Sequence, residues 1–248
     1  SSDLLTDAEK EYLTTMYEQE QRAMQHVKKY TVLQAFTDAK VLKLCFIYFL
    51  WVVGFWGFYF WMPTVLKNLS GWSTSLIGGA IAIPMAAALV VQLIIGHTAT
   101  VTGDKVWHVF AALTVGAVGL GLSPFAHNMG VALFLICLSA IGIHASMGVW
   151  WTIPTTFLSG PAAAGSIALI NSCGNLGGMF GPNMMAWVQA QTGSFAMGYY
   201  LMALFMFSAG LLVLTLKYKV NGTVKDDVHL DTRTATTGYT GTQPTVTH

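Results

Sequence analysis

The stretch from Val106 to Leu216 reads VWHVFAALTVGAVGLGLSPFAHNMGVALFLICLSAIGIHASMGVWWTIPTTFLSGPAAAGSIALINSCGNLGGMFGPNMMAWVQAQTGSFAMGYYLMALFMFSAGLLVLTL and contains no Asp, Glu, Lys or Arg. Charged residues make up 9% of the 248-residue chain and hydrophobic residues 54%, whereas a soluble domain carries about 25% charged residues. The composition therefore excludes a disordered chain, a nucleic-acid-binding domain with a basic face and a soluble enzyme of ordinary composition.

A lipid bilayer is the solvent that fits this stretch, because a hydrocarbon core of about 30 Å is crossed by about 20 apolar residues of helix. Helices are expected, since every backbone N–H must be satisfied inside the segment. A barrel is excluded, because the segments lack alternating polar residues and are too long for strands. Turn signals divide the chain into six predicted spans: Leu42–Met62, Leu76–Gly96, His108–Phe125, Gly130–Trp151, Ala162–Gln189 and Ser194–Leu216.

The basic residues predict the orientation of these spans. Six spans place both termini on one side of the membrane. All Lys and Arg residues except Lys67 fall on that side. Because cytoplasmic loops carry the excess of Lys and Arg, both termini are expected in the cytoplasm of a multi-pass protein of the cell (inner or plasma) membrane.

The polar ends give the predicted division of the chain. Residues 1–41 form a cytoplasmic connector, an amphipathic helical arm that begins with the capping-box pattern Thr6–Glu9. Residues 42–216 form the six-helix bundle. Residues 217–248 are rich in Thr and Gly and are expected to be a disordered cytoplasmic tail. The chain opens with Ser1, so a fragment or a truncated product is expected.

Polar side chains inside the predicted spans are candidate site residues. His144 is the one His, Asp, Glu, Lys or Arg placed mid-span, and such residues are functional candidates by default. It is a candidate to donate a hydrogen bond to an anion or to titrate near neutral pH, with a neutral packing histidine as the alternative. Asn171 and Asn175 are four residues apart and share one helix face. They indicate either a substrate-facing stripe or hydrogen bonds between helices.

Aromatic residues give a second set of candidates. Tyr48, Trp51, Phe55 and Tyr59 recur every three to four residues in the first span, a pattern typical of packing more often than of a site. Trp150 and Trp151 precede Pro154, which breaks or kinks the helix, so they line a cavity or form an interfacial pair.

Small residues and cysteines complete the pattern inside the spans. Gly174 with Gly178, and Gly177 with Gly181, form overlapping small-xxx-small pairs that let another helix pack very close. The cysteines lie in different spans and are interpreted as core residues far from one another, not as a disulfide or metal framework. They are Cys45, Cys137 and Cys173.

Several stretches resemble the C-terminal half of a major facilitator superfamily transporter, most closely the anion:cation symporter family. Ala162–Gly178, which reads AAAGSIALINSCGNLGG, carries the most specific part of the resemblance. The others are Phe60–Thr64, Ala82–Pro84, Trp151–Thr155, Phe157–Gly160 and Gln191–Phe195.

The resemblance implies an all-α membrane protein of twelve spans in two six-helix bundles. This chain would supply one bundle, a 3+3 inverted repeat, and would need the N-terminal six-helix half as its partner. Family members are secondary active transporters rather than enzymes and need no cofactor. They carry small organic anions such as sugar acids, dicarboxylates or aromatic acids, usually with protons, by alternating access.

The resemblance also implies site residues. Trp151 and Asn171 match positions that contact substrate in family members, and Asn175 belongs to the same motif. Tyr48 and Tyr59 are placed by the aromatic first span, and His144 stands where the family often has Tyr.

The chain departs from the family in one loop. The segment Gly96–Lys105 lacks most of the charged gating motif that the family has there. No Asp or Glu lies in any predicted span, so the proton-coupling carboxylate and the Arg that binds the anion are expected in the N-terminal half. Two alternatives stay open: a self-sufficient six-span channel or membrane enzyme, and a non-functional truncated carrier.

Overall fold

The computed structural model describes residues 10–11, 13–16, 18, 36–156 and 161–224, and those before residue 19 are helical. The capping-box pattern Thr6–Glu9 lies outside them. Among the described residues, six long helices account for most of the fold and no strand occurs. They are α1 (Ala39–Ser70), α2 (Thr74–Thr102), α3 (Lys105–Leu122), α4 (Met129–Trp150), α5 (Pro161–Thr192) and α6 (Ala196–Val224), with short 3₁₀ turns at Ser123–Phe125 and Pro154–Thr156. The expectation of an all-helical protein is confirmed.

Five of these helices, α1, α2, α3, α4 and α6, are long and apolar enough to cross a membrane. The protein is therefore a multi-pass membrane protein. The remaining helix, α5, has 32 residues and is long enough to cross the membrane. Its Asn, Gln and Gly residues make it less apolar than the other five. Six spans remain a prediction because α5 does not qualify by composition.

Side-chain and glycine caps set the helix ends. Before α1, the Asp38 carboxylate accepts from the backbone N–H of Lys40 at 2.8 Å. After α1, Gly71 adopts the left-handed conformation with φ 68° and donates its N–H to the Lys67 carbonyl at 2.8 Å. Gly103 ends α2 in the same way, with φ 69°. Each cap satisfies a backbone group that the helix end would otherwise leave unpaired.

Two predicted boundaries are wrong. The first span does not end at Met62, because α1 continues through Pro63 to Ser70. A proline removes only one backbone donor, and neighbouring helices compensate for that loss inside a membrane. The predicted loop after Gly96 is helical as far as Thr102, and its threonine hydroxyls donate to carbonyls earlier in the helix. The apolar segment of the last helix is Ala196–Leu216, and the helix itself continues to Val224. The rest of the predicted tail lies outside the described residues.

The helices pack in a definite order. α1 packs on α5 and α6, α3 packs on α4 and α6, and α2 packs on α4. If α1 is exchanged with α4, α2 with α5 and α3 with α6, the same pairs of helices are in contact. α5 and α2 lie at the two ends of this order, and only 17% of the residues in the apolar segment of α2 are buried. The core between the helices includes the fully buried Trp51, Phe58, Leu113, Trp150 and Met206.

A glycine stripe, defined as Gly174, Gly177 and Gly181, brings α5 into near-backbone contact with α1. A Cβ added at Gly177 would lie 2.7 Å from the carbonyl oxygen of Phe49, and one at Gly181 would meet the carbonyl oxygen of Val53. A Cβ at Gly174 would fall on the ring of Tyr48. The close approach predicted from the small-xxx-small pairs is confirmed, and α1 is the helix that makes it.

Candidate functional site

The described residues form an open cleft of about 550 Å³ where α1, α5 and the end of α4 meet. This volume is within the range of small-molecule sites. Its wall includes Tyr48 from α1, Trp151 directly after α4 and Asn171 from α5, together with Ala164, Ile167 and Ala168. The structure therefore brings together three of the side chains predicted as site residues, from three separate parts of the chain.

Aromatic packing fixes Tyr48 in the wall of this cleft. Its ring centroid lies 5.2 Å from that of Trp151, in an edge arrangement, and 5.9 Å from that of Trp150, in a stacked one. Trp51 meets Tyr48 edge-on at 5.6 Å. Such pairs stabilise by about 0.5–1.5 kcal/mol each beyond the area they bury. The cleft wall is thus held in place before any ligand binds.

Trp51 and Trp150 form the support behind the wall rather than its surface. Both are fully buried, and neither indole N–H has a hydrogen-bond partner in the described part of the chain. Sequence reasoning did not include them among the site residues. The aromatic spacing of the first span pointed to Trp51, and the adjacent tryptophans pointed to Trp150. The contact of Trp150 with Tyr48, which joins two helices, needs the three-dimensional structure.

Asn175 positions Asn171. The Asn175 Nδ2 donates to the Asn171 side-chain Oδ1 at 3.0 Å and to its backbone oxygen at 2.9 Å. The expectation that the two amides share one helix face is confirmed. Since the Oδ1 of Asn171 accepts from Asn175, the NH₂ group of Asn171 is the part that can donate to an anionic oxygen. Asn175 itself does not line the cleft.

His144 and Tyr59 lie together, away from the cleft. The ring of His144 on α4 is 5.5 Å from that of Tyr59 and 5.7 Å from that of Phe55, both on α1. The Tyr59 hydroxyl is buried and has no hydrogen-bond partner among the described residues. The six predicted site residues therefore fall into two groups, and α1 contributes an aromatic side chain to each. One group is Tyr48, Trp151, Asn171 and Asn175, and the other is Tyr59 and His144.

The chemistry of the cleft is that of neutral donors. Its polar side chains are a phenol, an indole and an amide, and it contains no carboxylate. The described residues contain no group of three or more His, Cys, Asp or Glu that could hold a metal ion. Hydrogen bonding combined with aromatic contact suits a small polar ligand with an apolar face.

The cysteines do not all behave as expected. The side chains of Cys45 on α1 and Cys173 on α5 lie close to each other, and both thiols are free. The interpretation that the cysteines are far from one another is therefore wrong for this pair. The physical reason is the close packing of α1 on α5, which joins segments distant in sequence.

The segment Gly96–Lys105, which lacks most of the charged motif of the family, makes one contact with the chain just after α4. The Nζ of Lys105 donates to the backbone carbonyl of Thr152, just after α4, at 3.4 Å. A cation at the C-terminal end of a helix is favourable, because the carbonyls there are partly negative. This contact joins the start of α3 to the chain just after α4.

Comparison with known proteins gives a consistent result. The model of the Major Facilitator Superfamily matches residues 6–182. A putative tartrate transporter of Agrobacterium vitis is 36% identical over 85% of this chain and 47% of its own length. A second putative tartrate transporter of the same organism is 34% identical over 86% of this chain and 47% of its own length.

A quinolone resistance transporter of Acinetobacter baumannii is 33% identical over 75% of this chain and 43% of its own length. The chain spans about half the length of the curated relatives that it matches.

Proposed function

Since the chain belongs to the Major Facilitator Superfamily, we propose that it acts within a secondary active transporter for a small organic anion. The anion is a sugar acid, a dicarboxylate or an aromatic acid, and it moves with protons by alternating access. The observation that carries this proposal is the cleft in which Tyr48, Trp151 and Asn171 meet. The transporter is not an enzyme.

The side chains of the cleft suit an organic anion. The Asn171 NH₂ group donates to a carboxylate oxygen, and a hydrogen bond to a charged group contributes about 1.5–3 kcal/mol. The rings of Tyr48 and Trp151 pack against the carbon skeleton of the anion. Asn175 acts indirectly, because it holds the amide of Asn171 in place. The His144–Tyr59 pair supplies a second polar contact for a longer substrate.

The packing order of the helices supports the proposed architecture. The exchange of α1–α3 with α4–α6 preserves every main helix pair. A 3+3 inverted repeat has this property, because its two three-helix units have the same packing and cross the membrane in opposite directions. We infer that α5 also crosses the membrane, which makes six spans with both termini in the cytoplasm of a cell-membrane protein.

The proposed partner is an N-terminal six-helix half. It would cover α2 and α5, which lie at the ends of the packing order and expose the apolar face of one and the amides of the other. Between Ala39 and Leu216 the one acidic residue is Asp104, in the turn before α3. The carboxylate that couples transport to protons is therefore assigned to the N-terminal half.

Uptake of labelled tartrate tests the function. The polypeptide that contains this chain is reconstituted in liposomes, and a potential, negative inside, is imposed at an inward proton gradient. If each cycle carries one net positive charge, 100 mV supplies about 2.3 kcal/mol, which corresponds to roughly 50-fold accumulation. A protonophore should abolish the accumulation.

Competition by unlabelled galacturonate, succinate and benzoate defines the anion class. Empty liposomes are the control. If none of these anions is taken up or competes, the organic-anion proposal is wrong. Saturable movement of a fluoroquinolone in the same liposomes would then favour quinolone transport, since one relative is named a quinolone resistance transporter.

We expect His144→Phe to change substrate preference. Phenylalanine keeps the ring contacts with Phe55 and Tyr59 but removes the imidazole nitrogens. Loss of one hydrogen bond, about 1 kcal/mol, should alter the ratio of dicarboxylate to monocarboxylate uptake by roughly fivefold. His127→Phe, in the exposed turn before α4, is the matched control and should leave the ratio unchanged. If His144→Phe transports with the same selectivity and pH profile as the parent protein, His144 has only a packing role.

A further inference from the structure

The contact between Cys45 and Cys173 has a chemical consequence that the transport function does not use. We propose that these two thiols are a covalent modification site, at which a peroxide forms a reversible disulfide between α1 and α5. The disulfide joins the two helices that carry Tyr48 and Asn171.

The first support is the contact itself. The two side chains lie close to each other, and neither cysteine is in a disulfide in this structure. Cys45 is buried and Cys173 is partly exposed. Cys173 is therefore the more accessible of the two thiols to a molecule as small as a peroxide, and Cys45 lies next to it as the resolving partner.

The second support is the register of the two helices, which is independent of the thiols. Gly181 approaches the backbone of Val53, and Gly177 approaches that of Phe49. Each step is four residues on both helices, about one turn. The next step in the same direction pairs Cys173 with Cys45. Because the two backbones nearly touch one turn away, the cysteine Cα atoms are brought toward the separation that a disulfide requires.

The third support is the position of the pair. Cys45 is six residues from the start of α1 at Ala39, which is about 9 Å along the helix. On the proposed orientation this is near the cytoplasmic face, where thiols are kept reduced. The resting state is the dithiol seen in the structure, and an excess of peroxide is the signal.

The reaction balances without any other reactant. The sulfur of Cys173 attacks one oxygen of the peroxide, whose O–O bond breaks; with hydrogen peroxide the products are a sulfenic acid and water. The sulfur of Cys45 then attacks the sulfenic sulfur, an S–S bond forms, and the hydroxyl leaves as a second water. The two thiols lose two electrons and two protons in total. A dithiol reductant reverses the process by thiol–disulfide exchange.

The effect on transport rests on the proposed function. Tyr48 follows Cys45 by three residues, and Asn171 precedes Cys173 by two, so the cross-link fixes the distance between two walls of the cleft. Oxidation should therefore stop uptake, and reduction should restore it.

The experiment treats membranes that contain the intact polypeptide with hydrogen peroxide, then alkylates the free thiols and maps the peptides without reduction by mass spectrometry. A linked peptide pair containing Cys45 and Cys173 is expected. It should be absent from Cys45→Ser and from Cys173→Ser. Cys137→Ser is the matched control, since Cys137 is a partly exposed thiol on α4, and this variant should still form the link.

Recovery of Cys173 as sulfinic acid together with alkylated, unlinked Cys45 would overturn the proposal. A disulfide of Cys173 that still forms in Cys45→Ser would also overturn it, because Cys173 would then pair with a different thiol. Tartrate uptake is measured on the same membranes. Peroxide should reduce the uptake of the parent protein by more than half, and dithiothreitol should restore it. Cys45→Ser, which cannot form the disulfide, should not show this reversible loss. A link that leaves active uptake unchanged would refute the effect on transport. Absence of uptake before treatment would refute the proposed function, and the peptide map would still decide the modification site.

Discussion

A Gly177→Leu variant is expected to lose most of its folded protein from membranes, whereas Gly78→Leu should be produced and should unfold like the parent. A Cβ at Gly177 would lie 2.7 Å from the Phe49 carbonyl oxygen and 2.9 Å from the Val53 nitrogen. Both atoms belong to the backbone, so no rotamer change relieves the clash. Around Gly78 there is nothing within 4 Å of an added Cβ.

The large effect follows from what the clash does to its neighbours. Inserting side-chain atoms into a packed interface usually costs about 1–3 kcal/mol, and more where the backbone has to move. Here α5 must move away from α1, so Gly174 and Gly181 lose their contacts as well. Close packing is the main attraction between helices in a membrane, since lipid gives no hydrophobic driving force between them.

The measurement compares yield, monodispersity in detergent and the midpoint of thermal unfolding. Gly177→Ala provides a graded intermediate, because it introduces the Cβ alone. If Gly177→Leu matches Gly78→Leu in all three quantities, the close contact of α1 and α5 does not stabilise the fold.

The second large effect is expected from Asn171→Ala, which should reduce tartrate uptake to the background while the protein remains folded. The substitution removes the amide NH₂ group that the cleft presents to an anion. A hydrogen bond to a charged group is worth about 1.5–3 kcal/mol, which corresponds to a loss of roughly 10-fold to 150-fold in uptake efficiency.

Asn183→Ala is the matched control on the same helix. Asn183 is also an exposed amide, and its Nδ2 donates to the Met179 carbonyl at 2.6 Å. It does not line the cleft. Its replacement should leave uptake within about twofold of the parent, as is usual for surface changes. Equal losses in both variants, or no loss in Asn171→Ala, would contradict the assignment of Asn171.

Much of the fold follows from the sequence because the bilayer imposes one period and one length. The turn before α4 lies between the predicted spans His108–Phe125 and Gly130–Trp151, as expected, and the structure shows that Asn128 caps the helix there. Pro63 gives a clear local signal, and it is overridden by the packing of α1 on its neighbours. Local rules therefore predict that these helices exist better than where they end.

The site divides in the same way. The spacing of Asn171 and Asn175 predicts their shared face, because both lie on one helix. The meeting of Tyr48, Trp151 and Asn171 depends on three elements, and only the family resemblance points to it from sequence. The thiol pair escaped prediction altogether. Gly174, Gly177 and Gly181 indicate that some helix approaches closely, but the sequence does not identify that helix or its register.

The modest hydropathy of α5 has a consequence for biosynthesis. A helix that falls below the apolar content of its neighbours enters lipid less readily by itself when the translocon releases it. Its glycines match the surface of α1, which is synthesised much earlier and is already in the bilayer when α5 emerges. α1, already in the bilayer, then packs against α5 and assists its insertion. The order of synthesis therefore matters for this chain: a permuted version that makes α5 before α1 should leave α5 on the cytoplasmic side rather than in the membrane.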